Sequence, residues 1–120
     1  MTVGPVAAHA DAMLDLIGSP YVQLHTGDPG DDGTSNVSAE TTREQITFSA
    51  SSGGVKNSSS QPSWQNWAAG TETITHVSLW TAASGGTCEW TVDVGDKAVN
   101  DDDDLTLTSL QLTATPIAAD

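Results

Sequence analysis

Three histidines (His9, His25 and His76), one cysteine (Cys88) and an aspartate run are the side chains with which this chain could do chemistry. The histidines are far apart in sequence, and no serine sits in a nucleophile-elbow pattern, so no hydrolytic set is legible. A lone histidine in a strand-like segment is more often a packing residue than a catalyst. Cys88 alternates with Trp90, Val92 and Val94, which marks it as a small buried side chain rather than a nucleophile. A single cysteine also excludes an intramolecular disulfide.

Asp101, Asp102, Asp103 and Asp104 offer carboxylates that could hold Ca²⁺, Mg²⁺ or hydrated K⁺; a solvated acidic loop is the commoner use of such a run. Residues 28–33 have a superficial likeness to a calcium loop, but Gly30 and Ala39 stand where an EF-hand needs oxygen ligands. No cofactor is expected beyond that one structural cation. Trp64 and Trp67 lie among Ser63, Gln65 and Asn66, a polar setting in which a ring face could stack on a sugar. The alternative is that both rings close the bottom of the core. Arg43 is one of only three Lys and Arg residues against 16 acids, and its guanidinium is expected to pair with a carboxylate, with Asp28 as a candidate.

These residues need elements to hold them. Val6, Ala10, Met13, Leu14 and Ile17 form one apolar stripe at helical spacing, with Gly4-Pro5 at its start and Gly18 at its stop. Residues 1–18 are therefore read as a helical segment, packed on the domain edge or on a partner. Residues 19–120 are read as a single β domain. In 21–26, Val22 and Leu24 face one way and Tyr21, Gln23 and His25 the other. Ile46 and Phe48 share a face, and the Ser- and Gly-rich stretch 49–63 reads as a hairpin end or exposed loop.

Residues 73–81 place Ile74, His76 and Trp80 on one face and Val77 and Leu79 on the other, as in a central strand, with His25 and His76 available for cross-strand pairing. Ser84-Gly85-Gly86 turns the chain into a half-buried strand of alternating Cys88, Trp90, Val92 and Val94, which Gly95-Asp96 is expected to end. Leu105 and Leu107 are out of phase with Leu110 and Leu112, so the backbone must break near Thr108-Ser109. The fold class is mainly β, an antiparallel β-sandwich or small barrel with one short N-terminal helix.

Composition narrows the function. A formal net charge of −13 repels phosphate backbones and anionic lipid, so neither nucleic-acid binding nor membrane insertion is expected. No apolar run approaches the roughly 20 residues that span a bilayer, and the start of the chain lacks the pattern of an export signal. Abundant Asp with almost no Lys suits a protein working in concentrated salt, where screening removes self-repulsion.

Leu24, His25, Thr26, Asp28, Pro29 and Gly30, followed by Arg43 and then by His76, Leu79 and Trp80, form two signatures whose order and spacing carry a resemblance. The chain resembles a family of small structural proteins of tailed viruses, variously tail-fibre, minor-tail or head-accessory, which carry a Leu-His-Thr-Ala-Asp-Pro-Gly-like motif. The likeness runs from about Tyr21 to Thr113; Gly27 replaces the motif's Ala, and Leu105, Leu107, Leu110 and Leu112 resemble its closing pair of strands. It implies a non-enzymatic structural protein of the virion, and the acid excess points to a virus infecting a halophilic archaeon. The expected placement is a homo-oligomer on the capsid surface, as a decoration or vertex (turret) component beside the major capsid protein. The alternative is a tail, baseplate or tail-fibre accessory among other tail proteins, or a module that binds a host receptor or glycan.

Overall fold

A computed structural model describes residues 6–113. Alternation of apolar and polar residues dictates its texture: eight strands and one helix, with every strand pair antiparallel. Helix α1 (Ala7–Asp15) is followed by β1 (Tyr21–His25), β2 (Glu44–Gln45), β3 (Val55–Asn57), β4 (Ser63–Trp64), β5 (Glu72–Trp80), β6 (Cys88–Val99), β7 (Leu105–Thr106) and β8 (Gln111–Thr113). The main sheet has the order β2-β1-β5-β6, while β3 pairs with β8 and β4 with β7 in two small sheets. The mainly β class with one short helix is as the sequence implied.

The small sheets cover the inner face of the main sheet. Leu24, Ile74 and Val77 from the main sheet meet Trp64, Leu105 and Leu107 around a residual cavity of about 20 Å³. Helix α1 leans on β3 and, with its C-terminal turn, inserts Leu14 and Ile17 into the same core. Burying two such side chains contributes about 3–6 kcal/mol together, whereas the rest of the stripe is less committed: Val6 and Met13 are exposed. Gly18 stops the helix in a left-handed conformation (φ +65°) that a β-carbon would disfavour. The expected start at Gly4-Pro5 lies outside the described residues.

Four expectations change in detail. Gly95-Asp96 does not end β6; the strand continues to Val99, and Gly95, at φ +75°, sits in an irregularity where the ladder jumps from Ile74–Lys97 to His76–Asp93. A glycine that reads as a turn signal can equally absorb a bulge inside a long strand. The same shift moves Ile74 into the core cluster with Val77 and Leu79, rather than leaving it with His76 and Trp80. Residues 105–107 and 110–113 do not pair with each other; after the expected break near Thr108-Ser109 the chain crosses from β4 to β3 as partner. Finally, the stretch 49–63 is not an exposed loop throughout, because it contains β3 with Lys56 almost fully buried.

Candidate functional site

The residues of the two signatures face each other along the β1–β5 ladder, from Trp80 opposite Tyr21 to His76 opposite His25. His25, the last residue of β1, is directly opposite His76 on β5, yet the hydrogen bonds of its ring go elsewhere. Nδ1 lies 2.9 Å from the Ser35 carbonyl, which can only accept, so Nδ1 carries the proton. Nε2 then accepts from the Ser78 hydroxyl at 2.7 Å. The Ser78 oxygen in turn accepts the Trp80 indole N–H at 2.7 Å. This chain of bonds fixes one neutral tautomer, and burial holds the ring below its ordinary pKa. Ser78 is the residue that sequence reading missed. It sits diagonally across the ladder from His25, a relation that exists only once strand register is known.

A serine hydroxyl on a histidine nitrogen is the contact from which a nucleophile could be made. Here both side chains have 0% exposure, so no substrate atom can reach the oxygen. The pair is a buried polar network that ties β1, β5 and the following loop together. His76 is separate: Nδ1 meets the Thr75 hydroxyl at 2.7 Å, and Nε2 is 3.9 Å from Asp93.

The loop 26–37 is held by its own motif residues. Asp28 accepts from the Gly30 N–H at 2.9 Å, and the Asn36 amide donates to the Asp28 carbonyl at 2.9 Å. Thr26 and Ser35 close it through backbone N–H bonds to Asn36 and Pro29. Asp32 accepts from both the N–H and the hydroxyl of Thr34, which lowers its pKa. Gly33, at φ +74°, lies so close to β6 that a β-carbon there would be 2.6 Å from Cys88 Sγ. Glycine is therefore required twice over at this position, by conformation and by space.

Arg43 does not pair with Asp28 or, among the described residues, with any other carboxylate. Its guanidinium lies 4.1 Å from the Trp80 ring centre. Nη1 donates to the carbonyls of Ala82 (2.9 Å) and Gly85 (2.7 Å), and Nε to Gln23 Oε1 at 3.3 Å. Stacking and carbonyl contacts use the planar fork of arginine in a way an ammonium could not. The result locks the turn between β5 and β6 onto β1. Cys88, half-buried beside this stack, has its thiol pKa raised by burial, the opposite of an activated nucleophile.

The remaining candidates are spent on structure. Trp64 and Trp67 are 4% and 1% exposed, and their indole N–H groups donate to the carbonyls of Thr42 (2.8 Å) and Gly70 (2.7 Å). Neither ring has a free face for a sugar, because the core needs both. In the aspartate run, Asp101 accepts from the Gly70 N–H, Asp103 from Asn100 and Asp104 from Asn66. The Asp101 and Asp104 carboxylates cap the backbone of the 66–70 loop and that of Asp103 caps its own turn, and among the described residues no three His, Cys, Asp or Glu side chains are grouped to hold a metal ion. Lys56, which carried no expectation, donates to Asp15 at 2.7 Å and lowers its pKa. It closes α1 onto β3 together with the Asp11 carboxylate, which accepts from Gly54 N–H at 2.8 Å.

What stays uncommitted is the outer edge of β6, whose Trp90, Val92 and Val94 side chains pack partly against the core. β6 is the outer strand of the main sheet, 12 residues long, with alternating half-buried Cys88, Trp90, Val92 and Val94 and exposed Glu89, Thr91 and Asp93. Two open grooves flank it: one of about 540 Å³ between residues 88–91 and Asp28, Gly30 and Asp31, the other of about 510 Å³ between Val92, Val94, Lys97 and residues 106–111.

A family model described as podophage GP4 fiber I protein gp80 matches residues 16–115. No curated protein matches the chain.

Proposed function

Because the chain belongs to the family of the podophage GP4 fiber I protein gp80, we propose that it is a structural subunit of a tail fibre, or of the tail parts that carry one, on a tailed virus. The family match, spanning the whole main sheet, is the observation that carries this reading. It favours the tail over the capsid surface, the placement first expected. Burial of the Ser78 hydroxyl and of the His25 ring it meets supports a role without turnover at that pair.

Attachment runs through α1 in this reading. The matched region begins at residue 16, and ahead of it α1 leaves Val6 (60% exposed) and Met13 (40%) facing outward, with Leu16 at 81% just beyond its end. Covering such side chains against a neighbouring subunit, a second copy included, is how a small surface gains affinity. The acid excess supports a particle that works in concentrated salt: the melting temperature should then rise from dilute buffer to molar salt.

Immunogold labelling of purified particles tests the placement. Gold at the tail is expected; gold over the capsid shell would restore the decoration reading, and unlabelled particles would remove the chain from the virion. Particles grown with the 1–18 deletion should lack the protein, and normal incorporation would rule out α1 as the attachment.

A further inference from the structure

We propose that the outer edge of β6 is a docking rail for an extended segment of a different polypeptide, alternating apolar and basic residues, that adds to the main sheet as a fifth strand. The first observation is the edge itself. β6 bonds to β5 on one side, and among the described residues no other backbone segment pairs with it between Glu89 and Ala98. Local side chains take only two of its backbone groups: Asp93 accepts from the Gly95 N–H, and Cys88 Sγ reaches the Trp90 carbonyl. A strand this long with a free row of donors and acceptors is a template for another strand.

The second observation is the space beside it. The groove between Val92, Val94 and residues 106–111 gives alternate side chains of an added strand a floor in which Val92, Val94, Leu107 and Leu110 alternate with hydroxyl groups, while the others would face solvent beside Asp93. The groove along residues 88–91 continues the same path past Asp28, Asp31 and Glu89.

The third observation decides the occupant. Along this path stand five carboxylates (Asp28, Asp31, Glu89, Asp93 and Asp96) and one ammonium, Lys97. A second copy could not complement them. Of the three Lys and Arg residues in the chain, Arg43 is stacked on Trp80 and Lys56 is buried on Asp15. Edge carboxylates of this kind oppose pairing between identical copies and favour a basic partner. The inference goes beyond placement in the tail, and its readout needs no particle.

Fluorescence anisotropy on the full chain tests it, with a labelled ten-residue peptide of alternating valine and lysine as probe. Binding at one peptide per chain is expected. N-methylation of every second amide should abolish binding in one phase and spare it in the other, because a sheet edge bonds to alternate residues only. Joint Glu89→Lys and Asp93→Lys substitution should weaken binding by about tenfold, with the melting temperature unchanged as the check on folding. The proposal is overturned by absence of binding, by equal binding of an alternating valine–glutamate peptide, by indifference to N-methyl phase, or by sedimentation showing that β6 pairs copies of the chain with each other.

Discussion

The signature residues and the outer edge of β6 treat polar groups in opposite ways. Around His25, Arg43 and Trp80, nearly every donor and acceptor has a partner on another element, and two loops are tied down by side chains. Along the outer edge of β6, backbone groups and half-buried apolar side chains face open grooves. Residues that define the family likeness thus build the brick. The docking proposed for β6 uses a surface where internal bonding stops. A distinctive histidine or arginine is therefore a poor guide to a binding site in a protein of this kind.

The largest effect that would break this contrast is expected at His25. His25→Leu leaves the buried Ser78 O–H without its acceptor and the Ser35 carbonyl without its ring N–H donor, at a cost of about 2–4 kcal/mol. Urea denaturation measures it, and a loss under 1 kcal/mol would mean that the knot does not hold the sheet. Removing Asp15 strands the buried Lys56 ammonium, so Asp15→Ala is expected to lower the urea midpoint, while the Asp15→Ala, Lys56→Met pair recovers most of the loss. Arg43→Lys keeps the charge but loses the stack and one carbonyl contact, with an expected cost of about 1–2 kcal/mol. Equal stability of the lysine variant would show that charge alone matters there.

Acidification sharpens the same contrast. In the folded chain burial lowers the His25 pKa, so the unfolded state takes up its proton first. The stability contributed by the neutral ring is present above the ordinary value of 6.5 and is lost as pH falls below it, toward the depressed folded value. A second loss follows at lower pH as Asp15 and Asp32, whose pKa values are depressed by their hydrogen bonds, become protonated. Chemical denaturation from pH 8 to pH 5 should show the first decline in the parent chain and its absence in His25→Leu. The smallest effect is reserved for the edge: Thr91→Lys on exposed β6 should change stability by no more than about 0.5 kcal/mol.

Much of the fold was legible because period-two alternation is a local property. β6 shows it residue by residue, and the phase change between Leu107 and Leu110 required the break the backbone makes. Gly95 misled because a glycine before an aspartate looks the same whether it turns a chain or bulges a strand. The Arg43 expectation rested on counting acids. It failed because the strongest available partners were backbone carbonyls of the β5–β6 turn, which no sequence pattern displays. Trp64 and Trp67 sit among polar neighbours in sequence but are buried by elements far away in the chain, and local polarity cannot report that. Ser78 and Lys56 were invisible for the related reason that both act across the fold, through register and through helix docking.

Hydrogen exchange read amide by amide on the intact chain puts the division itself to the test. Amides of β1, and those of Thr26 and Ser35 in the tied loop, should exchange only through global unfolding. Alternate amides of β6 from Glu89 to Ala98 should exchange orders of magnitude faster. Uniform protection along β6, or a 26–37 loop exchanging as freely as an untethered one, would contradict the separation of wired signature residues from an open edge.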